Sequence, residues 1–283
     1  MNIFKILFST VLLAFAASSV SFAIEAPPSM TNENYKYAVE DAKNPEPHEI
    51  YYNLIAIRKD NKDIILRAKK DNLQVRVITI IDNGTYKEYY KGKDFKNYSL
   101  RPDLWVTVEP ELIEKIKKNK AQFNGTEEQN KMRIREIYGF PPDKKVDRVV
   151  VFWVDADNDH MFRPSPDSEI DDKKAEINFP NDVTTEHRKY INGLSSHQFF
   201  SGEEVWVSGG KIVGKELKDA YPWTQLGYSY DWGNRCDNIH NYGLSEFIVK
   251  GYKNWGNFHN IEIEKIVTLE DYIKSAKAEN SNI

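Results

Sequence analysis

The chain has 283 residues, a formal net charge of -4 and a pI near 5.9, a balance that gives no electrostatic reason to expect a nucleic-acid or anionic-membrane partner. Its one cysteine, Cys236, excludes an intramolecular disulfide, so folding rests on an apolar core, for which the length suffices.

The chain starts with Lys5, an apolar run from Ile6 to Ala17, and Ser21-Phe22-Ala23. The run is shorter than the ~20 residues of a membrane span, and small residues at 21 and 23 suit a signal peptidase. Residues 1–23 are therefore predicted to be a cleaved signal peptide. That places the mature chain, residues 24–283, in the periplasm or outside the cell, with no integral membrane segment after processing.

Residues 24–49 form a Pro-punctuated leader with room for a short helix over 32–43. Tyr52–Ile57, Ile64–Leu66 and Val75–Ile81 then have strand character, and Asn83-Gly84 signals a hairpin turn with Tyr86–Tyr90 returning. Residues 24–98 are thus predicted to hold a small antiparallel β unit without a chemical constellation. From 99 to 276 the pattern changes. A strand at Leu104–Val108 precedes a helix opening at Pro110 and a second over Thr126–Tyr138. A nearly continuous apolar strand, Val146–Val154, follows, then a helix from Thr184 to Phe200. Short strands with Gly turns lead to Leu244–Val249 and Ile261–Val267, and Thr268 caps a last helix before a frayed tail at 277–283. The fold class is α+β: a small N-terminal β unit, then helices packed on a mostly antiparallel sheet.

Asp155, Asp157 and Asp159 imitate the start of a calcium loop, but His160 and Pro166 stand where the loop needs glycine and a bidentate acid. An irregular calcium site and a polar turn after a buried strand both stay open. The six histidines lack zinc-protease spacing, and Ser245 lacks a nucleophile elbow. Phe162-Arg163, in a Pro-rich bend, offers a ring for stacking and a guanidinium that can clamp phosphates bidentately. The alternative is an Arg in a surface salt bridge.

Five aromatic rings fall between Tyr221 and Gly233. Alternation along a strand assigns Thr224, Leu226, Tyr228, Tyr230 and Trp232 to the core. Trp223, Gln225, Gly227, Ser229 and Asp231 take a cleft face, with Trp223 as its exposed ring. Glu246 stands among apolar neighbours with Leu244 and Ile248 on its face. Such an acid is either paired in the interior or functional.

Arg163 in the Phe162-Arg163-Pro164-Ser165-Pro166-Asp167 bend, a strand pair, the Pro222-Trp223 loop and Gly243-Leu244-Ser245-Glu246-Phe247 recur in one order. That order resembles the NAD glycohydrolase domain of the tuberculosis necrotizing toxin and related secreted proteins, over about residues 100–270. The resemblance implies an exported enzyme of toxin type, with an immunity protein as partner, that cleaves the nicotinamide–ribose bond of NAD(+). It needs no cofactor beyond that substrate. It implies Arg163 on the phosphates, Phe162 and Trp223 against the rings, Gln225 and Tyr228 lining the pocket, and Glu246 beside the ribosyl cation. The chain departs from the family in having Glu246 for a Gln and Pro164 for a Gly. A secreted module binding a glycan or protein through the aromatic face, and a structural envelope protein, are the alternatives.

Overall fold

The computed structural model describes residues 28–198, 205–207, 210–212, 220–233, 240–256 and 260–278. The signal peptide expected at 1–23, the turn around Cys236 and the end of the tail lie outside them. In chain order the elements are α1 (Pro28–Asp41), β1 (Leu66–Lys69), β2 (Asn72–Ile81), α2 (Asn83–Thr85), β3 (Tyr98–Ser99), β4 (Leu104–Val108), α3 (Glu111–Lys118) and α4 (Glu127–Ile137). They continue with β5 (Arg148–Asp155), β6 (Met161–Phe162), α5 (Thr185–Gln198), β7 (Val205–Val207), β8 (Gly210–Ile212), β9 (Tyr228–Tyr230), β10 (Tyr242–Ser245), β11 (Phe247–Val249), α6 (Tyr252–Trp255), β12 (Asn260–Thr268) and α7 (Leu269–Ala278).

Eight strands form the main sheet in the order β3-β12-β5-β2-β4-β11-β6, with β1 paired to β2, and every pairing is antiparallel. β9–β10 and β7–β8 make two small ribbons. The α+β class is thus the observed one. The strand at 72–81 runs in the middle of the main sheet, between β4 and β5, so residues 24–98 and 99–276 share one sheet.

Alternation sorts the core. Val75 and Val77 of β2, Val150 and Phe152 of β5, and Phe247 and Val249 of β11 face one side, covered by loop residues Ile57, Ile64, Leu100 and Ile170. Ile78, Val149 and Val151 face the other, under Leu112 and Ile116 of α3, Ile134 and Ile137 of α4, and Tyr272 and Ile273 of α7. Thr126 starts α4 as predicted: its hydroxyl accepts from the Gln129 N–H at 3.3 Å, while Gln129 Oε1 accepts from the Thr126 N–H at 2.7 Å. A third cluster packs Tyr35, Ala38 and Val39 of α1 and Ile191 of α5 on Phe162, Trp223, Tyr230 and Trp232.

The segment after β2 differs from the sequence expectation. Asn83-Gly84 does not turn a hairpin; it opens α2, which leads into a further helical turn at Tyr86–Tyr90. Asp82 decides this by accepting from the Thr85 N–H at 2.9 Å and the Thr85 hydroxyl at 2.7 Å, a helix cap that outcompetes the turn. Tyr52–Ile57 likewise forms no strand. No helix among the described residues is long and apolar enough to cross a membrane.

Candidate functional site

β2 and β4 pair at only two positions, Val77 with Val108 and Ile78 with Thr107. Beyond that point β2 stays with β5, while Leu104, Trp105 and Val106 of β4 pair with β11 on the opposite edge. The two strands splay, and a cavity of about 420 Å³ occupies the gap, lined by residues 79–82 of β2 and its end, 104–107 of β4, Tyr138-Gly139-Phe140 after α4, Tyr221-Pro222-Trp223, and Leu244-Ser245-Glu246. This volume lies within the range typical of ligand pockets, ~300–1,000 Å³.

Glu246 stands where the chain leaves the small ribbon for the main sheet. β10 ends at Ser245, paired with β9, and β11 begins at Phe247, paired with β4 and β6. The single strand expected over Leu244–Val249 is therefore two strands broken at the acid. The joint is held from both sides. The Glu246 N–H donates to Gly227 O at 2.9 Å. The Ser245 N–H donates to both carboxylate oxygens of Glu111 at 3.1 Å, and Tyr242 Oη donates to Glu111 Oε1. Lys115 Nζ donates to Tyr242 O at 2.8 Å and Gly243 O at 2.7 Å. Gly243 is required here, because a Cβ would lie 2.1 Å from Ile137 O and 2.4 Å from Ser229 Oγ.

Among the described residues nothing donates to the Glu246 carboxyl. Its Oε2 is shielded from solvent and has no hydrogen-bond partner. Burial alone pushes its pKa up to about 8, with no charged neighbour contributing. Two other residues of the cavity wall, Tyr138 and Gln198, also carry shielded polar atoms without partners, Oη and Oε1 respectively. Each such atom costs roughly 1–3 kcal/mol.

The other predicted site residues do not join Glu246 as expected. Arg163 is fully buried. Its Nη2 donates at 2.9 Å to Ile55 O and Asp172 O, its Nε at 3.2 Å to Glu169 O and its Nη1 at 3.4 Å to Gly227 O. The guanidinium also stacks 4.6 Å over Phe247. Four carbonyls take four of its five N–H donors, so the fully buried group ties loops together and is closed off from a phosphate. Phe162 is buried among His187, Tyr190 and Trp255. Trp223, expected as the exposed ring, is 3% exposed, and its Nε1 donates to Pro164 O at 3.0 Å. It touches the cavity only as part of the wall. Tyr228 is buried, with its hydroxyl on Glu49 O at 2.8 Å. Gln225 has φ 62° and donates toward Ala42 O and Lys43 O at 3.2 and 3.3 Å. The aromatic run is not one alternating strand. It turns at 224–227, Gly227 taking φ 74°, and both of its expected faces are buried.

The acidic candidates also rearrange. Asp155 and Asp157 lie with His160, their ligand atoms within 4.8 Å of one another, and Asp159 is not in the group. His160 Nδ1 is 2.6 Å from Asp157 Oδ1, and Asp155 accepts from Asn72 and Gln74 at 2.6 and 2.7 Å. An imidazole in that position departs from the all-oxygen set calcium prefers.

The sequence reading missed Trp105, Tyr138, Phe140, Lys144 and Tyr221 in the cavity wall, and Glu111 as the clamp of Ser245. Only the position of Glu111 at the start of an amphipathic helix beside Pro110 offered a signal. Comparison with protein families, curated proteins and solved structures gives no match.

Proposed function

We propose that the cavity beside Glu246 is the working site of an exported hydrolase that cleaves the nicotinamide–ribose bond of NAD(+). The observation that carries this reading is the Glu246 carboxyl: a half-buried acid without a protein partner in the wall of the gap between β2 and β4. Cleavage breaks the bond between ribose C1′ and the ring nitrogen. The electron pair leaves with the ring, nicotinamide departs neutral, water adds to C1′, and one proton is released. The transition state carries oxocarbenium character, which an adjacent carboxylate stabilises. With Arg163 occupied, the phosphates fall to Lys144, the exposed cation that lines the cavity. Trp105, Phe140 and Tyr221 supply flat surfaces. Export through residues 1–23 would keep the activity from the producer's own NAD(+).

The test is loss of NAD(+), followed with a fluorescent NAD(+) analogue, on residues 24–283 and on Glu246→Gln. Turnover by the parent and its loss by at least a hundredfold in the variant is the expected result. An inert parent protein, or a variant as fast as the parent, sinks the reading. A second reading, non-catalytic binding of a small molecule, is favoured by one observation. The other described acids of the wall are engaged, Asp82 with Thr85 and Asp103 with four donors, so no second carboxylate among the described residues stands ready to activate water.

A further inference from the structure

The charge and ring content of the cavity wall specify the class of ligand, on the reading that this cavity is the functional site. The charged or chargeable side chains that line it are Asp82, Asp103, Glu246 and Lys144, besides the phenols Tyr138 and Tyr221. Lys144 is exposed. Asp82 takes its hydrogen bonds from the backbone N–H and hydroxyl of Thr85. Asp103 takes its bonds from the Gly251 N–H, Tyr190 Oη, Asn254 Nδ2 and Trp255 Nε1, at 2.7–3.1 Å. These donors are all neutral, so neither charge is cancelled by a contacting cation. Among the described residues no cation reaches Glu246 either. Rings share the same wall: Tyr138 stacked on Phe140 at 5.2 Å, and Trp105 edge-to-face with Trp223 at 6.5 Å. Acids with cancelling cations missing, set among aromatic rings, form the environment that selects organic cations over neutral or anionic ligands.

We propose that the cavity receives the flat cationic head of its ligand against Glu246, whose shielded Oε2 has no partner among the described residues. The cation then supplies the partner that the protein withholds. Because burial alone sets the Glu246 pKa near 8, the carboxyl is mostly protonated at neutral pH without ligand, and a cation must expel that proton to form its ion pair.

The probes are 1-methylnicotinamide, a cation, and nicotinamide, its neutral counterpart, titrated calorimetrically into residues 24–283 in buffers of different ionisation enthalpy. The cation is expected to bind at least tenfold more tightly, to release close to one proton at pH 7, and to gain on the order of tenfold in affinity per pH unit up to about pH 8. Glu246→Gln is expected to erase both the preference and the proton release. The wild-type proton count and pH slope decide the question even if that variant fails to fold. Equal affinity for the two probes, no binding of either at millimolar concentration, or binding of the cation without proton release overturns the inference. NAD(+) cleavage without cation preference would remove this inference and leave the hydrolase reading. Cation-selective proton release without cleavage would do the reverse.

Discussion

Replacing Glu246 by Gln gives the most direct test of the physics of the site. The folded carboxyl has its pKa raised from 4.5 to about 8 by burial. Below pH 4.5 folded and unfolded forms both hold the proton, and the residue imposes no ionisation penalty. Between 4.5 and 8 the unfolded chain ionises while the folded one retains its proton, so stability falls as pH rises, by at most ~1.4 kcal/mol per unit. Above 8 both are ionised and the penalty stops growing. Across pH 5 to 9 the loss amounts to roughly 4 kcal/mol, an upper value because a carboxylate that rotates toward solvent sheds part of it. The Gln variant lacks this term. Its own unmatched amide costs the same at every pH. Denaturant unfolding of both proteins at pH 5, 7 and 9 isolates the effect, since subtraction cancels the other buried acids, Glu109, Glu111 and Glu136, whose pKa values burial also raises. The expected result is a difference that shifts by several kcal/mol in favour of the variant as pH rises. A difference constant to within ~1 kcal/mol would show that Glu246 ionises freely, and the reasoning about the cavity would fall with it.

Two further substitutions probe the frame. Arg163→Met leaves four backbone carbonyls without their donor and is expected to cost ~3–5 kcal/mol in thermal or denaturant unfolding. Whatever folded protein remains should bind ligand as before, and a selective loss of affinity for a phosphate-bearing ligand would return Arg163 to the site. Gly243→Ala places a methyl 2.1 Å from Ile137 O and should destabilise by ~2–4 kcal/mol, measured as a fall in Tm; an unchanged Tm would mean that β10 and α4 are not packed as described.

The parts of the fold that were legible are those in which local and tertiary forces agree. The apolar run of β5, the Thr126 cap of α4 and the amphipathic α3 each carry their structure in their own residues. Residues 83–90 misled because Asn-Gly is a turn signal only when nothing nearby caps a helix, and Asp82 does so. The aromatic run misled for a different reason. Alternation distinguishes a buried face from a wet one, and here α1 and α5 cover the side that should have been open, so Trp223 joins the cluster of Tyr35, Val39 and Ile191. Arg163 reads from sequence as a phosphate clamp or a surface salt-bridging Arg, and it is a fully buried group instead. Its partners are backbone carbonyls from residues 55, 169, 172 and 227, and main-chain acceptors leave no trace in side-chain pattern. Glu246 was legible as an anomaly, whereas the splaying of β2 from β4 that gives it a cavity depends on strand pairing across most of the chain.

Glu246 and Glu111 meet the same joint between β10 and β11, and one acid is answered by the described residues while the other is not. Both have pKa values raised by burial. Glu111 is answered by Tyr242 Oη, by Thr107 Oγ1 at 3.0 Å and by the Ser245 N–H, and those bonds oppose the cost of burial. One residue after Ser245, Glu246 has its own N–H fixed on Gly227 O and its predecessor clamped, yet no group of the described residues reaches its carboxyl. A leucine at 246 would fill the wall with no desolvation penalty. Structure has been organised to hold the backbone of this acid while leaving its head unsatisfied. An interior built only for stability would do the opposite, which is why the missing partner is expected to be a ligand.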